Sequence, residues 1–191
     1  MSINRILFTF ALLLFAACSD DSTPDSKSDV IESNTIKRDT NLQSVILESI
    51  KAKESQLLNS KDASIDITKA QAMISLYINY VNAYPTDTVQ SPRYLLKAAE
   101  IAYNAKQGKS AITFLNRLIK EYPQNKKIAT AYFLKGYVFD VVMQEKKQAE
   151  LAYKEFIQKY PAHEMAPSAQ GMLENLNLNE KQLIKKLNLG K

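Results

Sequence analysis

The 191-residue chain has one cysteine, one histidine, four glycines and no tryptophan. A single cysteine, Cys18, cannot close an internal disulfide, so no disulfide framework supports the fold. His163 stands alone, and without a second histidine or a free thiol it makes neither a metal site nor a nucleophilic triad. So few glycines leave no glycine-rich loop to cradle a phosphate. The acidic residues sit singly along helix faces, where paired carboxylates are not assembled. Strand-like alternation of apolar and polar residues is absent too. The uncharged run Ile6–Ala17 is shorter than the about 20 residues that a membrane-spanning helix needs. No catalytic residue, metal or cofactor is therefore expected, and an enzyme is disfavoured.

What the chain does have is a period. Tyr-Pro occurs at Tyr84-Pro85, Tyr122-Pro123 and Tyr160-Pro161, and the two intervals between them are equal. Proline lacks the amide donor and drives the preceding residue out of the helical region, so each dipeptide marks the same helix end in successive units. Apolar residues spaced three and four apart predict an all-α chain of about seven helices. The first is expected over about Asn41–Leu58, with Leu42, Val45, Ile46 and Ile50 on one stripe and a capping box at Thr40 and Gln43. The second spans about Asp66–Ala83, burying Met73, Leu76, Tyr77, Tyr80 and Val81. Ser91-Pro92 reads as the cap and first position of a helix to about Lys106, with Gly108 marking the turn. Two further pairs follow, Ser110–Tyr122 with Lys126–Met143 and Lys147–Tyr160 with Pro167–Leu176. A last amphipathic helix over 179–188, capped by Asn179 and carrying Leu183, Ile184 and Leu187, would shield the end of the stack.

Shifting the chain by one such interval superposes Tyr94 on Tyr132, Ala98 on Gly136, Ile101 on Phe139, Ala111 on Ala149, Leu118 on Phe156 and Ile119 on Ile157. The pattern resembles the tetratricopeptide repeat, a helix hairpin of roughly 34 residues. Tyr132 stands at its large aromatic position, Gly136 at the small site where helices touch, and Ala149, Tyr153, Phe156 and Pro161 on the second helix. The unit here is longer, and the extra residues fit as one in the turn within the hairpin and three between units. The resemblance implies antiparallel hairpins stacked as a short right-handed solenoid, with 41–191 as the repeat domain and a degenerate first unit. It also implies a concave face lined by the first helix of each hairpin, here Leu95, Ala99, Ala102 and Tyr103, then Phe133, Tyr137, Asp140 and Val141. That surface is apolar and aromatic, suited to an apolar peptide or partner helix. Either it is open for a protein partner, or the N-terminal or C-terminal helix fills it as core.

The N-terminus reads as an address. Arg5 followed by the run to Ala17 is a cleavable export signal over 1–17. Ala16-Ala17-Cys18 resembles the bacterial lipobox, which implies a covalent lipid on Cys18. The other reading is an ordinary signal with an incidental cysteine. Residues 18–40, mostly Ser, Asp, Thr, Lys and Asn, predict a flexible tether. Ser19-Asp20-Asp21-Ser22 resembles a lipoprotein surface-export signal, so the cell surface and the periplasmic face of the outer membrane both stand. Lipid anchor, tether and repeats together resemble the outer-membrane lipoproteins of envelope assembly and the periplasmic repeat protein that coordinates wall synthesis with division. The resemblance implies a membrane-anchored interaction scaffold in the cell envelope, or a purely structural spacer subunit. From Asp66 onward eleven acidic residues face eighteen basic ones. Such an excess suits anionic lipid headgroups or an acidic partner, but these lysines look scattered through helices rather than clustered, as on a solvated surface, and export disfavours nucleic acid.

Overall fold

The computed structural model of the chain describes residues 27–58 and 66–176 with isolated positions beyond, and side chains from residue 41. Two units are distinguished, 1–42 and 43–191. The described part of the first is the beginning of helix α1, Lys27–Leu58. The second continues α1 and adds α2 (Ile67–Ala83), α3 (Gln90–Asn104), α4 (Gly108–Glu121), α5 (Ile128–Tyr137), α6 (Lys146–Lys159) and α7 (Ala166–Asn175). The last turn of α5 is a π-helical continuation, Val138–Val142. Among the described residues there are seven helices and no strand, and none of the helices is long and apolar enough to cross a membrane.

The repeat period is kept on both sides of the three Tyr-Pro turns. Helices α2, α4 and α6 end at Ala83, Glu121 and Lys159, and α3, α5 and α7 start at Gln90, Ile128 and Ala166. The residues after the three ends, Tyr84, Tyr122 and Tyr160, have φ of −126°, −131° and −134° and ψ of 59°, 54° and 56°. The following proline excludes helical values there, so one steric rule stops three helices alike. Each turn is then tied in the same way. The backbone N–H of Asp87, Asn125 and His163 donates to the carbonyl of Tyr84, Tyr122 and Tyr160 at 3.1, 3.0 and 3.1 Å. Their side chains accept from the backbone N–H two residues on, at 2.9, 2.9 and 3.2 Å. The single histidine is thus a turn-closing acceptor through Nδ1, in the place of an aspartate and an asparagine.

Several expectations are corrected. Helix α1 starts at Lys27, so Thr40 and Gln43 lie inside it and form no capping box, and residues 27–40 are helical rather than tether. A helix nucleated by the packed segment near Ile50 elongates at little cost, one hydrogen bond per added residue. The buried stripe of α1 is Ile46, Leu47 and Ile50, while Leu42 and Val45 are 56% and 54% exposed. Ser91 does not cap α3. Asp87 does so from further back, accepting from the amides of Val89 and Gln90, and the Ser91 hydroxyl donates to the Tyr84 carbonyl at 2.6 Å. The turn before α4 is made by Lys106 at φ 60°, and its counterpart Gln144 has φ 57°. Gly108 is instead needed for space, since a Cβ there would lie 2.5 Å from Met143 Cγ. The export signal and Cys18 lie outside the described residues, as does most of the helix expected over 179–188.

The core of 43–191 has two parts. A larger cluster joins α1 to α5 around Ile50, Met73, Tyr77, Tyr80, Leu95, Leu115 and Leu118. A smaller one joins α5, α6 and α7 around Ala149, Tyr153, Phe156 and Ala169.

Candidate partner-binding face

Leu95, Ala99 and Ala102 are fully buried, so the inner face of α3 is core rather than an open groove. The cover includes α1. Ile46, Leu47 and Ile50 join the same apolar cluster as Leu95, and a polar pin holds each end of the packed segment. At one end Gln43 Nε2 donates to Tyr80 Oη at 2.7 Å. The Tyr80 hydroxyl donates in turn to Asp87 at 2.6 Å. At the other end Glu54 accepts from Tyr77 Oη and from Lys97 Nζ, both at 2.7 Å. Burial pushes the Glu54 carboxyl up, but the bonds from Lys97 and Tyr77 and the lysine charge outweigh it, and the net shift is downward. Burial and the Glu54 carboxylate both push the Tyr77 phenol up, so the proton stays on the tyrosine. Under the pins the rings of Tyr77 and Tyr94 stack at 5.0 Å with 14° between planes, and Tyr80 meets Tyr94 edge-on at 5.0 Å. Sequence reasoning leaves this closure as one of two readings, because the inward face of α1 begins and ends with polar residues. Gln43, Ile46, Ile50 and Glu54 share one helical face at spacings of three and four, which is the signal that could have found it.

The corresponding face of α5 is different. Phe133, Tyr137 and Asp140 are half-buried, and Val141 is 44% exposed. The rings of Tyr103 and Tyr137 meet edge-on at 5.9 Å, which continues the surface onto the end of α3. Phe133 is held from behind by Phe156, at 5.6 Å, and Tyr153, at 6.3 Å. The structure thus brings Tyr103, Phe133, Tyr137, Asp140 and Val141 to one aromatic face and removes the other three expected residues from it.

The π-helical turn shapes this face. In the first matched hairpin the Gln107 amide closes α3 by donating to Ala102 at 2.8 Å, whereas the equivalent Glu145 amide reaches one residue further back, to Phe139, also at 2.8 Å. A turn widened by one residue re-aims its side chains, which is how π turns are used at functional sites. Here Asp140 comes to 3.3 Å from the Tyr153 hydroxyl, which also lies 3.0 Å from the Met172 sulfur. Burial first, and then the Asp140 charge, raise the Tyr153 phenol above its ordinary value. Val141 is left in water.

Room for Tyr153 comes from Gly136. A Cβ at Gly136 would lie 2.5 Å from Tyr153 Cδ1 and 2.6 Å from Cε1. The equivalent pair one repeat earlier is Ala98 and Leu115, both fully buried. A smaller residue on the first helix compensates a larger one on the second. Small sites that recur with the period, next to a hairpin of this geometry, decide the type of unit, and the tetratricopeptide-repeat sequence model matches at residues 93–125 and 128–163.

Two stretches of the chain, each a helix hairpin, match the tetratricopeptide repeat. The two matched repeats contain α3 with α4 and α5 with α6, and the fold is an all-α stack of such hairpins. Tetratricopeptide repeats are protein-binding scaffolds, and the aromatic face lies on the first helix of the second matched repeat. A search of the curated proteins finds no match to the chain. No group of three potential metal-ligating side chains occurs among the described residues.

Proposed function

We propose that the protein is a lipid-anchored interaction scaffold of the bacterial cell envelope that holds an apolar peptide or partner helix on the α5 face. The observation that carries the binding reading is the contrast between the two matched repeats. The inner face of α3 is buried in the apolar cluster that α1 joins, whereas the α5 face keeps Tyr137 half-open and Val141 exposed. An apolar side chain left in water beside an aromatic pair, over a well-packed base, is the arrangement from which anchor sites for partner residues are built. Asp140 at its edge adds one acceptor for a donor on the partner.

The anchor rests on the sequence Ala16-Ala17-Cys18 after an export signal, and the outer membrane is the membrane that such lipoproteins occupy. Several acyl chains hold a protein firmly, since each buried methylene adds about 0.8 kcal/mol. Radiolabelled palmitate should enter the native chain and not Cys18→Ala. Labelling unchanged in that variant would remove the lipid from the proposal. For the face, Tyr137→Ala should reduce recovery of the partner isolated with the native protein, while the helical circular dichroism spectrum is retained. A purely structural spacer would show no partner sensitive to Tyr137.

A further inference from the structure

The repeat period gathers lysines that look scattered in the sequence. The turn from α3 to α4 and the turn from α5 to α6 lie side by side, because Met143 of the second packs against Gly108 at the start of α4. Lys106 and Lys109 stand on the first turn, and Lys146 and Lys147 on the second. All four are exposed. None pairs with a described carboxylate, and the ion pairs among the described residues lie elsewhere. One exposed carboxylate, Glu145, shares the edge. Between the two turns a cleft of about 440 Å³ has Val142 and Met143 in its wall. The opposite edge, at the Tyr-Pro turns, is mixed in sign, with Asp87, Glu121 and Glu164 beside Lys120, Lys126 and Lys127.

We infer that this lysine edge is a contact surface for an anionic lipid bilayer, and that it orients the repeats against the membrane carrying the anchor. The orientation rests on the anchor reading given above; the affinity for anionic headgroups does not. Lysines near an anionic surface act together, and the attraction dies away within about 10 Å at moderate salt, so a single edge rather than the whole molecule is held. Half-buried Val142 and Met143 between the lysine pairs supply apolar atoms at the level of the headgroups.

The test uses the full chain with Cys18→Ala, so that no acyl chain contributes. Its binding is compared on phosphatidylcholine vesicles and on vesicles of phosphatidylcholine and phosphatidylglycerol at about three to one. Residues 1–17, with the charge of Arg5, are common to every variant, so a difference between variants does not come from them. The ratio of anionic to neutral binding should be about tenfold or more at low salt and fall towards one at high salt. Replacing Lys106, Lys109, Lys146 and Lys147 by Gln should abolish the preference, while replacing Lys51, Lys120, Lys126 and Lys127 should preserve most of it. Equal loss in both variants would reduce the effect to net charge and overturn the assignment of the edge. Absence of any preference, with binding of a polyglutamate peptide instead, would overturn the lipid in favour of an acidic protein. Palmitate labelling at Cys18 reports on the anchor independently of either result.

Discussion

The two matched repeats place their helix boundaries at equivalent positions, yet they fill the space between their helices in different ways. In the first, Ala98, Ala102 and Leu115 make a wholly apolar layer, all fully buried. In the second the same three places hold Gly136, Asp140 and Tyr153. The ring of Tyr153 occupies the volume a Cβ on residue 136 would need, and its hydroxyl then needs a polar neighbour, which Asp140 provides. Replacing leucine by tyrosine at one site therefore changes two others, and the π-helical turn carries Asp140 into reach. At the surface, Leu95, Ala99 and Ala102 of the first repeat are buried, while the second presents Tyr137 and Val141. The backbone repeat is set by the Tyr-Pro stops; what each repeat offers a partner is set by the layer beneath.

The largest expected effect tests that layer directly. Gly136→Ala should destabilise by about 1–3 kcal/mol through overpacking against Tyr153, and Gly136→Leu by more. Adding Tyr153→Leu to Gly136→Ala rebuilds the pair found at Ala98 and Leu115 and should recover much of the loss. A double-mutant cycle on thermal melts should give a coupling of about 1 kcal/mol or more; additive losses would break the comparison between the repeats.

The seal over the first repeat is next in size. Glu54→Gln should cost about 1 kcal/mol, as a hydrogen-bonded ion pair is lost at a partly buried site. Its carboxyl is held below the ordinary value of 4.5 in the folded state. The contribution is therefore fully present above about pH 4.5 and disappears as pH falls through the lower folded-state value. Denaturant melts of the native chain should weaken over that acid range more than those of Glu54→Gln. Asp87, also held low, adds a part of the slope common to both proteins.

Tyr153→Phe comes third. It removes the hydroxyl from Asp140 and Met172 while keeping the ring, and should cost about 0.5–1.5 kcal/mol in the same melts. A neutral result would mean that Asp140 is placed for a partner rather than for Tyr153. Val141→Asp should change stability least, within about 0.5 kcal/mol, because the side chain is already in water.

The sequence carried the period, the helix ends and the small site at Gly136, because proline sterics and helix contact leave residue-level marks. It did not reveal what covers α3. Gln43 and Glu54 look like surface residues until the partners Tyr80, Tyr77 and Lys97 are brought to them from distant positions. The turn closure by Asp87, Asn125 and His163 was also hidden, as three residue types serve one purpose. Their common property, a side-chain acceptor three residues after each Tyr, was nonetheless present at the period. The widened turn at Val138–Val142 leaves no signature in residue spacing, and on α1 hydrophobicity picks out Ile46 and Ile50, which pack inward, together with Leu42 and Val45, which do not.

The central claim is that the α5 face, and not the buried face of α3 at Leu95, Ala99 and Ala102, presents the partner surface. A photo-crosslinking amino acid placed at Val141 in living cells tests it, with Leu151, 63% exposed on α6, as the control position. The expected result is a discrete adduct from position 141 that is lost in Tyr137→Ala and absent from position 151. The same adducts from both positions, or none from 141 with the protein folded and in its native location, would contradict it.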